Sequence, residues 1–532
     1  MPASRSKSPR NQQEKRLRVG QSNIPDGSRT EKFLRDHSGH IIALLCAYAG
    51  LRVLIFAAAF PLFNNVDEQS HLMSIQMYAR GQWPRKELPR GDAETAKFFA
   101  LYGTPEYLVT NERMEKMGPW VPFYKLSPQE AYTRAAPTFL HYLKAPNFEA
   151  QSTPLYYLLG AAWYRVGEAL RMRDWELAFW VRFLNPAAYV LLVWVSYRFV
   201  QTVYPDRIFL WLGVPALLAV FPQDVYFGIN RDVLSAPMTT LALLWMVQAI
   251  EKERAAWRLA IAAVLVGLTF LVNVSNCVLY GALAVTIWFW ARKSAAKPMA
   301  KASIALGALL ASLSLPLIWM LRNREVMGDL TGSRAKVAYL GWTTKPLGEF
   351  FDHPLFSFDG LFYFLENLGE RFWRGEYVWH MQPMRWSVAD YFYLISSAVL
   401  AVVFGVQVFR KWKDSTLAQR FAEITAPLLV ITSVLFMAAI SLPFDFHECF
   451  YPSREHPFFL SGRIISGALL PFVLIYVSGL DYLLKPIRKH VPPAAVLACL
   501  MVFITITEVS VRQAVFSSPY NYFALSRWHR GR

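Results

Sequence analysis

The sequence has few cysteines, and its long apolar runs contain almost no acidic residues. It has 4 cysteines in 532 residues, and Cys46, Cys277 and Cys499 lie in or at the ends of apolar runs. This number and placement exclude a disulfide framework. An ion- or proton-coupled transporter keeps ionisable residues inside its spans. The scarcity of acidic residues in the runs therefore counts against that class.

Nucleotide-binding and serine-hydrolase motifs are also missing. The chain has no Walker A loop, no Gly-x-Gly-x-x-Gly after a strand and no Gly-x-Ser-x-Gly. The sequence therefore does not support an ATP-driven, dinucleotide-dependent or serine-hydrolase function. Any energy that a reaction needs is therefore expected to arrive in an activated substrate.

Apolar residues dominate what is present. The chain is 54% hydrophobic and 15% aromatic, with a mean hydropathy of +0.24, which is too apolar for an ordinary soluble enzyme. Its repeated apolar runs have about the 20 residues needed to cross a bilayer. The sequence therefore predicts an all-α, polytopic transmembrane helical bundle of about eleven spans, or twelve if every run crosses.

The positive charge is placed where a membrane protein needs it. The net charge is +17, and the basic residues concentrate in the N-terminal tail and in short loops such as 292–301 and 485–489. This distribution places those loops in the cytoplasm, against an anionic leaflet. It excludes nucleic acid as the partner and puts loops 64–151, 322–388 and 443–461 outside.

Three parts are expected along the chain. Residues 1–38 form a disordered, basic cytoplasmic tail, residues 39–485 a transmembrane domain, and residues 486–532 the last span with a short C-terminal tail. The first outer loop should carry interfacial helices, because aromatic and basic residues alternate in it. Parity requires that one apolar run between 152 and 250 does not cross, and we expect this run to be 154–170.

Acidic residues cluster where the first apolar run should leave the membrane. Asp67, Glu68 and His71 follow that run directly, and ionisable residues at such a border indicate function. On a helix, His71 shares a face with both carboxylates. Two interpretations stay open: Asp67 is a catalytic group with Glu68 and His71 as partners, or Asp67 only caps a short helix over 68–80.

Other charged residues lie at the borders of later runs. Asn230, Arg231 and Asp232 between two apolar runs form either a second wall of the same outward cavity or a self-paired loop. Arg463, at the start of a late span, faces either an anionic group in the bundle or the lipid headgroups.

Arg322 stands at the exit of another run, with Asp329 a few residues later. A guanidinium there suits bidentate capture of a lipid phosphate, and headgroup contact is the alternative. The predicted substrate-binding residues are Asn230, Arg231, Asp232, Arg322, Asp329 and Arg463. No metal site is predicted, since the His, Glu and Cys residues of 447–456 lack zinc-site spacing.

These motifs occur in the order of a known superfamily. Along residues 40 to 485 the motifs are Asp67-Glu68-Gln69-Ser70-His71, Gln151-Ser152-Thr153-Pro154-Leu155-Tyr156-Tyr157, Asn230-Arg231-Asp232-Val233-Leu234, Arg322-Asn323 with Gly328-Asp329, and Ser461-Gly462-Arg463. The chain resembles the GT-C superfamily of membrane glycosyltransferases, to which protein O-mannosyltransferases and aminoarabinose transferases belong. It looks most like a bacterial branch of predicted membrane proteins with Asp-Glu-x-x-His after the first span. Thr153, Arg231 and Ile464 depart from the superfamily pattern, which leaves the substrate open.

The resemblance implies a GT-C-like catalytic domain over 39–485, in the bacterial inner membrane, with its active site outside. Such an enzyme moves a sugar from a polyprenyl-phosphate donor to a cell-envelope glycan, lipid or protein, with inversion at the anomeric carbon. It implies no cofactor besides the donor lipid, and we predict no metal.

Roles for the motif residues follow from the same resemblance. Asp67 would be the general base, and Glu68 or His71 would orient it or contact the donor. Arg322 and Arg463 would stabilise the departing phosphate.

Two other functions stay open at this point. One is a transporter or flippase of a lipid-linked glycan, and the other is an O-antigen ligase or polymerase. Consumption of a polyprenyl-phosphate sugar by solubilised protein would separate transfer from transport.

Overall fold

The computed structural model describes residues 29–63, 67–117, 120–251 and 256–530. It is 75% helical. Its helices in chain order are α1 (Arg29–Asp36), α2 (Ser38–Ala59), α3 (Glu68–Ala79), α4 (Ala93–Tyr102), α5 (Pro105–Leu108), α6 (Asn111–Met117), α7 (Pro128–Lys144), α8 (Leu155–Ala169), α9 (Asp174–Arg182), α10 (Leu184–Val203), α11 (Ile208–Val220), α12 (Ser235–Glu251), α13 (Ala256–Phe270), α14 (Leu279–Lys293), α15 (Pro298–Met327), α16 (Arg334–Tyr339), α17 (Phe358–Arg374), α18 (Ser387–Lys411), α19 (Leu417–Ser441), α20 (Leu469–Leu483), α21 (Pro493–Arg512) and α22 (Tyr522–Arg530).

Strands make only two small antiparallel pairs among the described residues. Their bounds are β1 (Thr343–Thr344), β2 (Val378–Trp379), β3 (Gln382–Pro383) and β4 (Phe444–Asp445). β1 pairs with β4 and β2 pairs with β3, and every strand belongs to a connection between apolar helices. The pairs therefore tie loops together at one end of a helical protein.

The apolar helices confirm a polytopic helical bundle. Nine helical stretches of the described chain are long and apolar enough to cross a membrane: Ser38–Ala59, Asp174–Val203, Arg231–Glu251, Val274–Lys293, Pro298–Met327, Ser387–Lys411, Leu417–Ser441, Gly462–Leu483 and Pro493–His529. The shorter helices α11 and α13 are also apolar, which brings the number to the eleven expected. Helix α8 is not among them, and that residues 154–170 do not cross stays a prediction.

The structure differs from the prediction at the N-terminal tail. Residues 1–28 lie outside the described part of the chain, but Arg29–Asp36 form a helix where disorder was expected. Leu34 packs against the core, and the Arg35 guanidinium lies 5.1 Å from the centre of the Trp211 ring. These contacts, which composition does not reveal, favour the helix over a disordered chain.

Contacts between connections join loops that are predicted to lie on the same side of the membrane. At one end, β1 of loop 322–388 pairs with β4 of loop 443–461, and the Trp120 indole donates to the hydroxyl of Tyr520 at 3.3 Å. At the other end, Arg207 forms an ion pair with Asp481. The sequence motifs lie at the first end, which the basic-loop pattern predicts to be outside.

Short 3₁₀ segments at this end, which is predicted to be outside, position the candidate site residues. Arg231–Leu234, Val274–Val278 and Gly462–Ala468 each precede a long apolar helix. Irregular backbone is tolerated near a membrane only where it is buried in protein or lines a wet cavity. These three segments bring polar residues from separate spans to one place.

The two-ended arrangement predicts opposite labelling of two introduced cysteines. In a background without the four native cysteines, Thr331→Cys in an outer loop should react with a membrane-impermeant maleimide in intact cells. Lys413→Cys, between α18 and α19, should react only after the membrane is opened. Labelling of both sites, or of Lys413→Cys alone, in intact cells would contradict the orientation.

Candidate active site

Asp67 occupies the position before α3 but does not cap it. Its backbone is left-handed, with φ of 64°, and its side chain makes no capping hydrogen bond to the helix. Asp is one of the few residues besides glycine that adopt this conformation readily. The carboxylate is instead 3.6 Å from the Arg463 guanidinium, which removes simple capping as the explanation of this residue.

Arg463 contacts three carboxylates from different parts of the chain. Its Nη1 donates to Asp232 Oδ2 at 3.0 Å, its Nη2 lies 3.6 Å from Asp67 Oδ2, and its Nε lies 3.7 Å from Glu376 Oε2. Asp232 is fully buried, whereas the Asp67 side chain is 33% exposed. Asp67 is therefore the member of this ion cluster that a substrate can reach most easily.

Two asparagines fix the buried carboxylate. Asn273 donates through Nδ2 to Asp232 Oδ1 at 2.5 Å, and Asn230 accepts the Asp232 backbone N–H at 2.9 Å. Both asparagines begin a 3₁₀ segment with extended backbone, and Asn273 accepts the N–H of Ser275 as Asn230 accepts that of Asp232. Each of these two 3₁₀ segments therefore begins with an asparagine side chain that accepts the backbone N–H two residues later.

A second ion cluster lies around Glu149. Arg231 Nη1 is 3.2 Å from Glu149 Oε2, and Lys336 of α16 donates to Glu149 Oε1. Burial alone would raise the pKa of Glu149, but Lys336 and Arg231 hold it well below its usual range. The ionised carboxylate thus keeps two cations close to Asp67, whose pKa also responds to Lys336.

Glu376 reaches Arg463 because a tight loop turns its side chain there. The backbone N–H groups of Glu376 and Tyr377 both donate to Asp224 Oδ2 at 2.8 Å. Gly375 has φ of 99°, and a Cβ at this position would overlap the Asp224 carboxylate. The loop therefore requires glycine at 375, and Asp224 acts through Glu376 as a positioning residue.

Glu68 faces away from this site. Its carboxylate is fully buried in a bidentate pair with Arg182, at 2.6 Å for each oxygen, and it also accepts the backbone N–H groups of Phe63 and Ile229. Arg182 in turn donates to the carbonyls of Phe60 and Pro61. Glu68 therefore fixes the chain on both sides of Asp67, and its carboxylate oxygens are fully used by protein contacts, so they do not suit contact with a sugar donor.

His71 is buried beside the two clusters. Its Nδ1 lies 2.8 Å from the Tyr157 hydroxyl, and its Nε2 has no hydrogen-bond partner among the residues that the structure describes. Burial lowers the pKa of His71 to about 3. The imidazole is therefore neutral at physiological pH and suits orientation of a neighbour better than proton transfer.

Burial raises the pKa of Asp67 above its ordinary value. Among its neighbours, Lys336 and Arg463 lower this pKa, whereas Glu149 and Glu376 raise it. A carboxylate with a raised pKa is a stronger proton acceptor than one in free solution. Asp67 has the chemistry of a general base.

The structure does not bring Arg322 and Asp329 to the ion clusters. Arg322 donates to the Pro84 carbonyl at 2.8 Å and lies over the Trp83 ring, so it binds the first outer loop. Asp329 accepts the N–H groups of Thr331 and Arg334. It thereby orders the turn before α16, the helix that carries Lys336, and its effect on the site is indirect.

Sequence reasoning missed four residues of the site, namely Glu149, Asn273, Lys336 and Glu376. Glu149, Lys336 and Glu376 each stand alone in a polar stretch, and only the tertiary fold brings them to the other site residues. Asn273 had a detectable signal, since Asn273-Val274-Ser275 lies between two apolar runs as Asn230-Arg231-Asp232 does. Within the described residues no group of three or more His, Cys, Asp and Glu side chains is arranged to hold a metal.

Comparison with known proteins gives a family. The family of predicted membrane proteins termed DUF2142 matches the chain over residues 51–446. The chain belongs to this family. The matched range includes Asp67, Glu149, Asp232 and Glu376, while Arg463 lies beyond it. No curated protein matches the chain.

Membership of DUF2142 agrees with the apolar helices. Together they make the chain an integral membrane protein with several spanning helices. The ion clusters around Asp67 are thus at one end of a membrane bundle, where side chains can meet both water and lipid.

The Glu68–Arg182 pair makes a clear stability prediction. Glu68→Gln leaves a fully buried guanidinium without its counter-charge, which typically costs about 3–5 kcal/mol. We expect a large fall in the thermal unfolding midpoint of the purified protein. Glu87→Gln is the control, because Glu87 is exposed, and it should change the midpoint little. Equal midpoints for the two variants would contradict the structural role of Glu68.

Proposed function

We propose that the protein is a membrane glycosyltransferase that moves a sugar from a polyprenyl-phosphate donor to an acceptor at the outer face of the membrane. The observation that carries this proposal is the Arg463 cluster, in which a reachable carboxylate, Asp67, lies beside fixed cations. An inverting transfer needs a base for the acceptor hydroxyl and positive charge for the departing phosphate. Both lie within one site.

The proposed step is a single displacement. The acceptor oxygen attacks the anomeric carbon and forms the new glycosidic bond, while its proton moves to the Asp67 carboxylate. The bond between the anomeric carbon and the phosphate oxygen breaks, and its electron pair leaves with the polyprenyl phosphate. The proton on Asp67 is then lost to water, which restores the base.

Three cations are available for the phosphate. Arg231 and Lys336 share Glu149, and Arg463 holds Asp67 in place. In the free protein carboxylates neutralise these cations, so the site does not leave an uncompensated charge buried. An incoming phosphate would exchange with some of those carboxylate contacts, and fixed cations stabilise charge as it develops on the leaving group.

The location of acidic residues favours transfer over transport. In the nine long apolar stretches of the described chain, every Asp and Glu lies within about two helical turns of a helix end. A coupled transporter uses ionisable residues deeper in its spans. Asp67, Asp232 and Glu376 of the candidate site gather at one end of the bundle, as a surface reaction requires.

Asp67→Asn tests the base. Asn keeps the size of the side chain and tolerates the left-handed backbone, but it cannot accept the proton. We expect the turnover number of purified protein to fall about 10²–10⁴-fold, with donor affinity largely kept. Asp359→Asn, an exposed carboxylate of α17, should retain full turnover. Turnover of Asp67→Asn equal to that of Asp359→Asn would remove Asp67 as the base.

The charges around Asp67 predict the pH dependence of turnover. The base must be ionised, so turnover falls as pH drops through its raised pKa. Lys336 lowers that pKa, and Lys336→Met should move the acidic limb to higher pH. Glu376 raises it, and Glu376→Gln should move the limb to lower pH. Shifts of the two variants in the same direction, measured in pH–rate profiles, would contradict this electrostatic model of the base.

A further inference from the structure

A pocket of about 520 Å³ opens beside Asp67. Helices α3 and α7 and the stretch from Ala145 to Phe148 form most of its wall, and Tyr339 of α16 completes it. Its volume falls within the range of about 300–1,000 Å³ that small-molecule sites have. Asp67 thus belongs both to the Arg463 cluster and to the lining of this pocket.

The lining has almost no formal charge. Among the described residues, Asp67 is the only carboxylate that lines it, no Lys or Arg does, and His141 adds one imidazole. Lys336 Nζ lies 5.0 Å from the centre of the Phe148 ring, at the edge of the pocket, and Lys336, Arg231 and Arg463 all contact carboxylates of the ion clusters. The walls away from Asp67 therefore suit an uncharged ligand, and the cations for a phosphate lie at the end of the pocket where Asp67 meets the ion clusters.

Aromatic rings and small polar groups share the walls. The rings of Phe148 and Tyr339 stack at 18° with centroids 6.2 Å apart, and Tyr339 is 48% exposed. Tyr142 accepts a hydrogen bond from Gln69 Nε2 at 3.2 Å, which fixes both at the wall. Flat π-faces attract weakly positive C–H groups, and amide and hydroxyl groups bind hydroxyls.

This mixture fits one ligand class. A pyranose ring offers C–H groups on its faces and hydroxyls on its edge, so the two kinds of wall match its two kinds of surface. A peptide that binds as an added strand would need a free strand edge, and none of the four described strands lines the pocket.

We propose that this pocket binds a sugar residue of a neutral glycan, and that one of its hydroxyls is the acceptor presented to Asp67. The inference rests on the proposed transferase function and names its acceptor class. In this arrangement the acceptor enters through the pocket, and the donor phosphate lies among the cations beside Asp67. The new bond would form between the two.

Saturation-transfer difference NMR on the full-length protein in detergent tests the pocket without any turnover. The probes are maltotetraose, mannotetraose and N-acetylglucosamine tetramer, with a Ser/Thr-rich peptide of similar mass. We expect at least one oligosaccharide to give a signal that falls several-fold in Tyr339→Ala and Phe148→Ala. Tyr132→Ala should keep the signal, because Tyr132 is 66% exposed on α7 and does not line the pocket.

The outcomes separate this inference from the proposed function. The glycan pocket would be overturned if no oligosaccharide gave a signal that Tyr339→Ala reduces. A signal from the peptide instead of the oligosaccharides would overturn it as well. In that case consumption of donor by the wild-type protein would leave the transferase function standing. Tyr339-dependent oligosaccharide binding without any donor consumption would support a glycan site and overturn its role as the acceptor site.

Discussion

The Arg463 guanidinium organises the end of the bundle that carries the sequence motifs. It lies between 3.0 and 3.7 Å from Asp232, Asp67 and Glu376. Asp67 and Asp232 belong to the first half of the chain, and Glu376 belongs to the second. Without the guanidinium, three buried or partly buried carboxylates that meet at one place would repel one another and take up protons. One charged side chain therefore holds three connections in a fixed arrangement, and the base candidate is one of the three.

The positions of Asp67 and Arg463 also explain why the surrounding structure is irregular. A regular helix would leave Asp67 as a cap and turn its side chain to its own backbone, whereas the left-handed residue directs it to Arg463. The buried Glu68–Arg182 pair anchors the chain next to it. On the other side, Asp224 and Gly375 fix the loop that delivers Glu376. Strain and buried charge concentrate at the candidate site, as they commonly do at functional sites.

Hydropathy was sufficient to predict the class of fold. A spanning helix must form its backbone hydrogen bonds internally and face lipid with apolar residues. Hydropathy also indicated Asp67, Asp232 and Arg463, since a charge beside a span is costly unless it has a role. Glu149, Lys336 and Glu376 could not be found this way. They lie in long polar connections where charge is unremarkable, and only tertiary contacts give them partners. Arg322 shows the converse, because a conspicuous position at a helix exit proved to serve contact with loop residues Trp83 and Pro84.

The most direct measurement is the fate of a defined donor given to the wild-type protein. Purified protein in lipid nanodiscs would be supplied with a polyprenyl-phosphate hexose labelled in the sugar, together with neutral glycans, and the products would be separated by chromatography. We predict that label moves to the glycan and that polyprenyl phosphate is released in equal amount. Intact donor after prolonged incubation, with protein that binds it and moves it between leaflets in vesicles, would contradict the proposed reaction.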